Sequence, residues 1–577
     1  MQLGMSALLT RLPLSTLPLL VLTSLSLTPA GFSADAVIQP GEDWSLPAWV
    51  QPAAASGYFA MDSTPGHPLI QHLGKTLTWA NLNPGDGIYD FTLLEDYLER
   101  ARRRGGKVLF RMKSSVYGSP EVGAKGQESK LMPEWVVKKH NPPVFSAGSR
   151  KYAAPWHPGV QSEFKRFVEE FGRRGYLASE QLAGVYLHGV SQSAGEEMSI
   201  DNGRDARAAG LTADALMACW QARMDWWVEA AGPNIHKVVW VGAGNIGDLP
   251  YPREKLDAYA LRKGLGHRGG FIERYFYGKI APPVAGQSYE NGYVVSDWRS
   301  PSRDGRCFSD EAEEDDEWGN EPFTRNLAAQ SSYFRAAQVG LNYLWISPTT
   351  LGWAGGAEGI PGWFRLVAGK GPRDSPDAAC WLRQASVRGL GSDLSRPWKN
   401  MERMLMQRDI PGAITVATNR VAMPYVSNKA RDDTDEFLAR RTDLAHGQDR
   451  IAFRLDPVFK LSLRYPVLIK VTYLDDTPAT WTVRAATAGG GSADLGTVIG
   501  NNDDAWRTAT FVLKQPFSPG TLGADVDFAI VATGTENVTV RYVRVVRTLP
   551  PLASGLISER QPVETPPSTV GQTEPGP

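Results

Sequence analysis

From about residue 40 to 390, short apolar runs alternate with stretches of helical spacing, and this alternation constrains the fold most. Strands that alternate with helices imply βαβ units and a parallel sheet. The strand candidates are GYFAM (57–61), KTLTWANL (75–82), KVLFRM (107–112), LAGVYLHGV (182–190), KVVWVG (237–242), GFIERYF (270–276), GRCFSDE (305–311) and LNYLWIS (341–347). Between them, Leu94, Tyr97, Leu98 and Ala101 recur at helical intervals, as do Phe164, Phe167, Val168 and Phe171. Leu216, Cys219, Trp220 and Trp227 share a third helix face, and a fourth helix is expected at about 322–339. Thr92 and Glu95 have the spacing of a capping box. Ser375-Pro376-Asp377 predicts the start of a further helix. About eight βα units fit an α/β architecture of the (β/α)8 TIM-barrel type with long insertions. An open doubly wound sheet is the rival, but no G-x-G-x-x-G follows the first strand, so its dinucleotide-binding form has no support.

Residues of about 430–548 change period. Ile451/Phe453/Leu455, Val467/Ile469/Val471/Tyr473 and Val538/Val540/Tyr542 alternate strictly, with turn clusters such as AATAGGGSAD and IGNNDDAW between the runs. That pattern predicts an all-β sandwich of jelly-roll-like type. The expected organisation is a signal peptide at 1–36, a barrel at 37–390, a linker with one short helix at 391–430, a sandwich at 431–550, and a disordered Pro/Thr/Glu/Gln-rich tail at 551–577.

The N-terminus carries one basic residue, Arg11, then LPLSTLPLLVLTSLSLTPA, then small residues. This is the layout of a secretory signal peptide, with cleavage expected near Ala30–Ala36 and a secreted or periplasmic destination. No second segment is apolar enough to span a bilayer, so no membrane insertion is expected once the signal is removed. Lys+Arg is 61 and Asp+Glu is 62, a net charge of −1, so the basic footprint of a nucleic-acid binder is missing. Three cysteines, Cys219, Cys307 and Cys380, form no C-x-x-C, which argues against a disulfide framework and a zinc ribbon. The 18 Trp serve either as core or as flat platforms for sugar rings. Trp220, Trp226, Trp227 and Trp381 lie in helical patterns and read as packing, whereas Trp79, Trp345 and Trp353 fall at strand ends or in their loops. In the β-rich zone, Trp481 and Trp506 read first as cross-strand core.

The stretch TWANLNPGDGIYDFTLLEDYLERARRRGGKVLFRM, with Trp79, Pro84, Gly87, Tyr89, Asp90 and Phe91 in place, resembles the second and third strands of clan A glycoside hydrolases, especially bacterial β-galactosidase-like barrels. LAGVYLHGVSQSAGEE is similar to the fourth strand of that group, where a Gly-Glu step places the acid/base, and GRCFSDEAEE to the seventh, where the nucleophile sits. The β-rich C-terminal segment resembles a sandwich often appended to exported bacterial glycosidases. One departure stands out: most clan A enzymes have Asn-Glu at the acid/base, and this chain has Gly195-Glu196. A literal Asn-Glu-Pro occurs at 320–322, but it follows an acidic run and reads as a helix start with Pro322 in the first turn.

The resemblance implies an exported glycoside hydrolase acting on a β-linked oligo- or polysaccharide with retention. Such chemistry needs two carboxyl groups about 5–5.5 Å apart, one a nucleophile and one a general acid/base. In a barrel both sit at strand C-terminal ends. Glu196, shortly after the fourth strand, and Glu311, at the end of the seventh, are the expected pair, with Glu197, Glu313 and Glu273 as alternates. The implied sugar contacts are Trp79, Asn81, Arg111, His188, Asn245, Tyr275, Trp345 and Trp353. No cofactor is expected, and His188 has no H-x-x-H partner pattern that would make it a metal ligand. The alternative is a non-catalytic carbohydrate-binding or envelope scaffold protein on a degenerate barrel. A serine esterase has little support, since no G-x-S-x-G elbow occurs.

Overall fold

The computed structural model describes residues 36–62, 66–118, 131–147, 150–187, 203–241, 253–268, 308–311, 322–382, 384–385, 401–423, 434–487, 491–518, 522–523 and 526–551. Eight parallel strands pair in chain order: Gly57–Met61, Ile70–Thr78, Val108–Lys113, Leu182–Leu187, Val238–Val241, Gly266–Arg268, Phe308–Glu311 and Tyr343–Trp345. The eighth pairs with the first, so the sheet closes into a barrel. They are called the first to eighth barrel strands below.

Helices cover the outside of the wall. Thr92–Arg103 buries Leu94 and Ala101, Pro158–Arg173 buries Phe164, Phe167, Val168 and Phe171, and Ala213–Ala231 buries Leu216, Cys219, Trp220 and Trp227. Those are the faces that the helical spacing marks out. Caps set two of the starts: Thr212 Oγ1 accepts from the Ala215 amide at 3.0 Å, and His157 Nδ1 accepts from the Gly159 amide at 3.2 Å. The expected capping box at Thr92 does not form. Thr92 is already inside the helix, and the Asp90 carboxylate accepts its amide at 3.0 Å. An Asp two residues upstream offers the stronger acceptor for the same orphan donor.

The barrel has two cores. Outside the wall, Trp79, Phe91, Phe164, Phe167, Phe171, Trp220, Trp227 and Trp240 form a continuous aromatic layer with the strands. Inside, Phe59, Met61, Leu109, Ala183, Tyr186, Val239, Val241 and Tyr343 fill the lumen, with Trp345 packed against them. On the far flank, Tyr58, Tyr333, Phe334, Trp363 and Phe364 join Trp381 and Tyr542, tying the barrel to the β-rich part.

Two antiparallel sheets make up that part. One runs Val37–Pro40, Ala505–Leu513, Val467–Asp475, Thr539–Arg547, Asp377–Trp381 and Met401–Arg403, with Gln384–Ala385, Val416–Met423 and Thr434–Arg441 attached. The other runs Leu405–Arg408, Arg450–Leu455, Phe528–Ala532, Thr480–Thr487 and Gly491–Ile499. They share a core of Ile451, Phe453, Ile469, Val471, Trp481, Phe511, Phe528 and Val543, among others.

Several expectations need correction. The second barrel strand ends at Thr78, and Trp79–Leu82 is a helical turn whose N-terminus the Thr78 hydroxyl caps. The sixth strand is Gly266–Arg268; GFIERYF (270–276) lies outside the described residues. Ser375-Pro376-Asp377 leads into a strand, Asp377–Trp381, which places Trp381 on a sheet. The expected linker at 391–430 carries three strands, Met401–Arg403, Leu405–Arg408 and Val416–Met423. The expected boundaries at 37, 390 and 431 also move. Val37–Pro40 pairs with Ala505–Leu513, and Asp377–Trp381 pairs with Thr539–Arg547, so the antiparallel unit takes strands from both sides of the barrel segment. Of the expected signal peptide at 1–36 and tail at 551–577, all but residues 36 and 551 lie outside the described residues. Among the described residues, no helix is long and apolar enough to cross a membrane.

Candidate active site

Side chains on a strand alternate between the two faces, so the registers fix which residues share the lumen. Arg111 of the third strand pairs with Thr76 of the second and Tyr186 of the fourth. Trp345 of the eighth pairs with Phe59 of the first and with Glu311 of the seventh. Phe59, Leu109, Tyr186 and Tyr343 are buried in the lumen core. One step toward the C-terminal ends, the lining turns from apolar to polar. There the Arg111 guanidinium lies 4.7 Å from the centre of the Trp345 ring. Arg111 is 7% exposed, and its Nε donates to Thr76 Oγ1 at 3.3 Å.

Asp62 completes this group, and sequence reasoning missed it. It follows directly on the first strand, in a left-handed conformation with φ of 54°. Its Oδ2 accepts the Thr76 hydroxyl at 2.5 Å, and its Oδ1 accepts the Thr76 amide and the Lys75 ammonium, each at 3.0 Å. Burial pushes the Asp62 carboxyl up, but the Thr76 and Lys75 hydrogen bonds outweigh it and hold the group below its ordinary value. Asp62 is therefore a fixed anion and a poor proton donor. The signal that could have found it is its place, a carboxylate immediately after GYFAM. Arg268 was missed as well. It ends the sixth strand, 3% exposed, in register with Val241 and Ser309.

Glu311 is the last residue of the seventh strand, and its Cα is registered with Trp345. Glu196, Glu197, Glu273, Glu313, His188, Asn245 and Tyr275 lie outside the described residues. Of the expected sugar contacts, Arg111 and Trp345 meet at the lumen. Trp79 does not join them. It is 0% exposed on the outer side of the wall, edge-on to Phe164 at 5.1 Å, with its indole N–H donating to Asn83 Oδ1 at 3.2 Å. It is a packing residue because the strand stops before it, and the helical turn swings it out of the alternation. Asn81 sits exposed on that same turn. Trp353, in the 3-10 turn Thr350–Gly355, packs against the helical core of the far flank. Trp135 and Trp156, in the long excursion after the third strand, tie their indole N–H groups to the carbonyls of Asn83 and Ala209 at 2.9 and 3.1 Å. Among the described residues, no three His, Cys, Asp or Glu side chains converge as a metal site.

The arrangement can therefore hold a cation against an aromatic ring beside a strand end that carries a carboxylate. No family model matches the chain, and no curated protein does. Solved structures similar to it include the catalytic domain of a β-amylase from Paenibacillus polymyxa, at 12% identity over 55% of this chain and 98% of that one, with a TM-score of 0.33. Endo-glycoceramidase II from Rhodococcus sp. is 10% identical over 87% of this chain and 100% of that one, with a TM-score of 0.29. A glycoside hydrolase family 30 subfamily 8 xylanase from Clostridium acetobutylicum is 10% identical over 87% and 98% of the two chains, with a TM-score of 0.30.

Proposed function

We propose that this chain is an exported glycoside hydrolase, a TIM-type (β/α)8 barrel with a jelly-roll-like sandwich, which cleaves a β-linked oligo- or polysaccharide with retention. The observation that carries this reading is the position of Glu311. It ends the seventh strand of a closed parallel barrel, in register with Trp345, over which Arg111 lies. Active sites of such barrels are built at strand C-terminal ends.

In this reading Glu196 protonates the leaving oxygen while Glu311 attacks the anomeric carbon. The glycosyl–enzyme bond is then hydrolysed by a water that Glu196 deprotonates, so the sugar leaves with its starting configuration. A guanidinium near the nucleophile's strand end favours the ionised carboxylate that attack needs. Trp345 offers an apolar ring to the sugar's C–H face. Export rests on the N-terminal run with its small-residue end near Ala30–Ala36.

The test is a panel of aryl β-glycosides and β-linked polysaccharides with wild type, Glu196→Gln and Glu311→Gln. Each variant is expected to lose about 10²–10⁴-fold or more in kcat, and NMR of the first product is expected to show the retained anomer. Both variants cleaving at the wild-type rate would remove this assignment. A wild-type chain that binds a glycan and cleaves none would favour the non-catalytic sugar-binding alternative. N-terminal sequencing of the exported protein checks the signal: the mature chain is expected to begin between residues 31 and 37.

A further inference from the structure

We propose that Asp62 is a positioning residue for this site, acting through Thr76 to hold the Arg111 guanidinium over Trp345; the inference rests on the glycosidase reading for its kinetic consequence and on geometry alone for the contact chain. Three features of the local chemistry support it. First, Asp62 adopts φ of 54°, a left-handed region that L-residues seldom enter and that Asp tolerates better than most. That turn brings its carboxylate back over the second strand.

Second, the direction of the hydrogen bonds is forced. An ionised carboxylate only accepts, and a guanidinium only donates. Thr76 has one hydroxyl proton, and Asp62 Oδ2 takes it at 2.5 Å. The Thr76 oxygen is left with lone pairs turned to Arg111, whose Nε donates to it at 3.3 Å. The Thr76 amide donates to Asp62 Oδ1 as well, which anchors the carboxylate beside the hydroxyl. Third, Nε is the root of the guanidinium, so fixing it sets the plane of the whole group. That plane lies over Trp345, the register partner of Glu311. Asp62 acts through Thr76, whose hydroxyl fixes the Nε end of Arg111.

A bystander role for the pair predicts that only stability suffers when it is broken, whereas a positioning role predicts a loss of rate that a hydroxyl restores. The experiment compares wild type, Thr76→Val, Thr76→Ser and Asp62→Ala by kinetics on the aryl β-glycoside panel and by crystal structures. Thr76→Val keeps the shape and removes the hydroxyl; it is expected to lose about ten- to a hundredfold in kcat with KM little changed, the signature of an interaction used in the transition state. Thr76→Ser is expected to recover most of that rate. In the Thr76→Val and Asp62→Ala crystals, Arg111 is expected to leave the Trp345 ring. The proposal is overturned if Arg111 keeps its place over Trp345 in both crystals, or if Thr76→Ser is as slow as Thr76→Val. Should wild type and Glu311→Gln be equally inert across the panel, the glycosidase reading fails, and the crystals still decide the positioning.

Discussion

His72 is sealed into the second barrel strand, 4% exposed, between two backbone groups. The Lys107 amide donates to its Nδ1 at 3.0 Å, so Nε2 must carry the proton that reaches the Ser56 carbonyl at 2.9 Å. That tautomer is neutral, and burial pushes the imidazole from 6.5 down to about 4. A folded value below the unfolded one means the unfolded chain takes up a proton that the folded chain refuses. The contribution is present above pH 6.5 and is lost as the pH falls from 6.5 toward 4. At about 1.4 kcal/mol per unit it amounts to roughly 3 kcal/mol. Urea titrations across that window are expected to show a stability loss in wild type that His72→Gln reduces; parallel curves would contradict the assignment. Trp79 tests the other side of the wall. Trp79→Ala is expected to cost about 3–5 kcal/mol in chemical denaturation and to leave KM unchanged. Its sequence context, a tryptophan closing an apolar run beside a Pro-Gly turn, is the same whether it faces sugar or core. The break from strand to helical turn at Thr78 decides between them.

Among the elements, the strand Asp377–Trp381 shows how a local signal loses to tertiary contacts. Ser-Pro-Asp is a good helix start when the Asp carboxylate caps free amides. Here the Asp377 carboxylate is 0% exposed and committed elsewhere, accepting from Arg544 at 2.9 Å, Trp363 at 2.8 Å and Arg403 at 3.3 Å. The backbone follows the carboxylate into the sheet beside Thr539–Arg547. Asp377→Asn is expected to destabilise the chain by about 3–5 kcal/mol, because it removes the carboxylate charge that faces two buried guanidinium groups, and a thermal or urea midpoint reads it. The helix pair Pro158–Arg173 and Ala213–Ala231 makes a second test. A Cβ on Gly172 would come 2.7 Å from the Ala230 Cβ. Alanine gains about 1 kcal/mol of helix propensity over glycine, yet Gly172→Ala is expected to be net destabilising by about 1–3 kcal/mol through overpacking. A stabilised variant would show that the helices can part freely. Where alternation is long and strict, as in Ile451/Phe453/Leu455, the sequence pattern and the buried face agree. The short strands at 401–423 carried no such run, and pairing with Asp377–Trp381, Arg450–Leu455 and Thr434–Arg441 makes them strands.

At the scale of the whole molecule, the segment after residue 36 binds the two parts together. Val37–Pro40 adds a strand beside Ala505–Leu513, and then Glu42 and Asp43 meet buried cations of the same β-rich part. Arg541 donates to Glu42 at 2.7 Å, and Lys470 pairs with Asp43. Trp44 packs between Tyr542 of the sheet, at 4.8 Å, and Trp363 of the helical flank, at 5.2 Å. Deletion of residues 37–43 is expected to lower the thermal midpoint of the otherwise full chain. Two nearly buried cations lose their carboxylate partners, at a cost of about 3–5 kcal/mol each in comparable pairs. An unchanged midpoint would show the segment to be ornamental.

What the sequence determined by itself is periodic. Spacing of three and four residues marked the buried faces of the main helices, and spacing of two marked the strands of the shared β core, because each period is a property of the backbone and needs no partner. The alternation of the two periods announced parallel pairing, and the run GRCFSDE announced a strand ending at Glu311. The tertiary structure decided what depends on partners far away in the chain: which side of the wall Trp79 faces, that Asp377 extends a sheet, that residues 37–40 belong with residues 505–513, and that Asp62 reaches back to Thr76 and Arg111. Those outcomes turn on burial and hydrogen bonds between segments up to several hundred residues apart, and no local window of sequence contains both ends of such a contact.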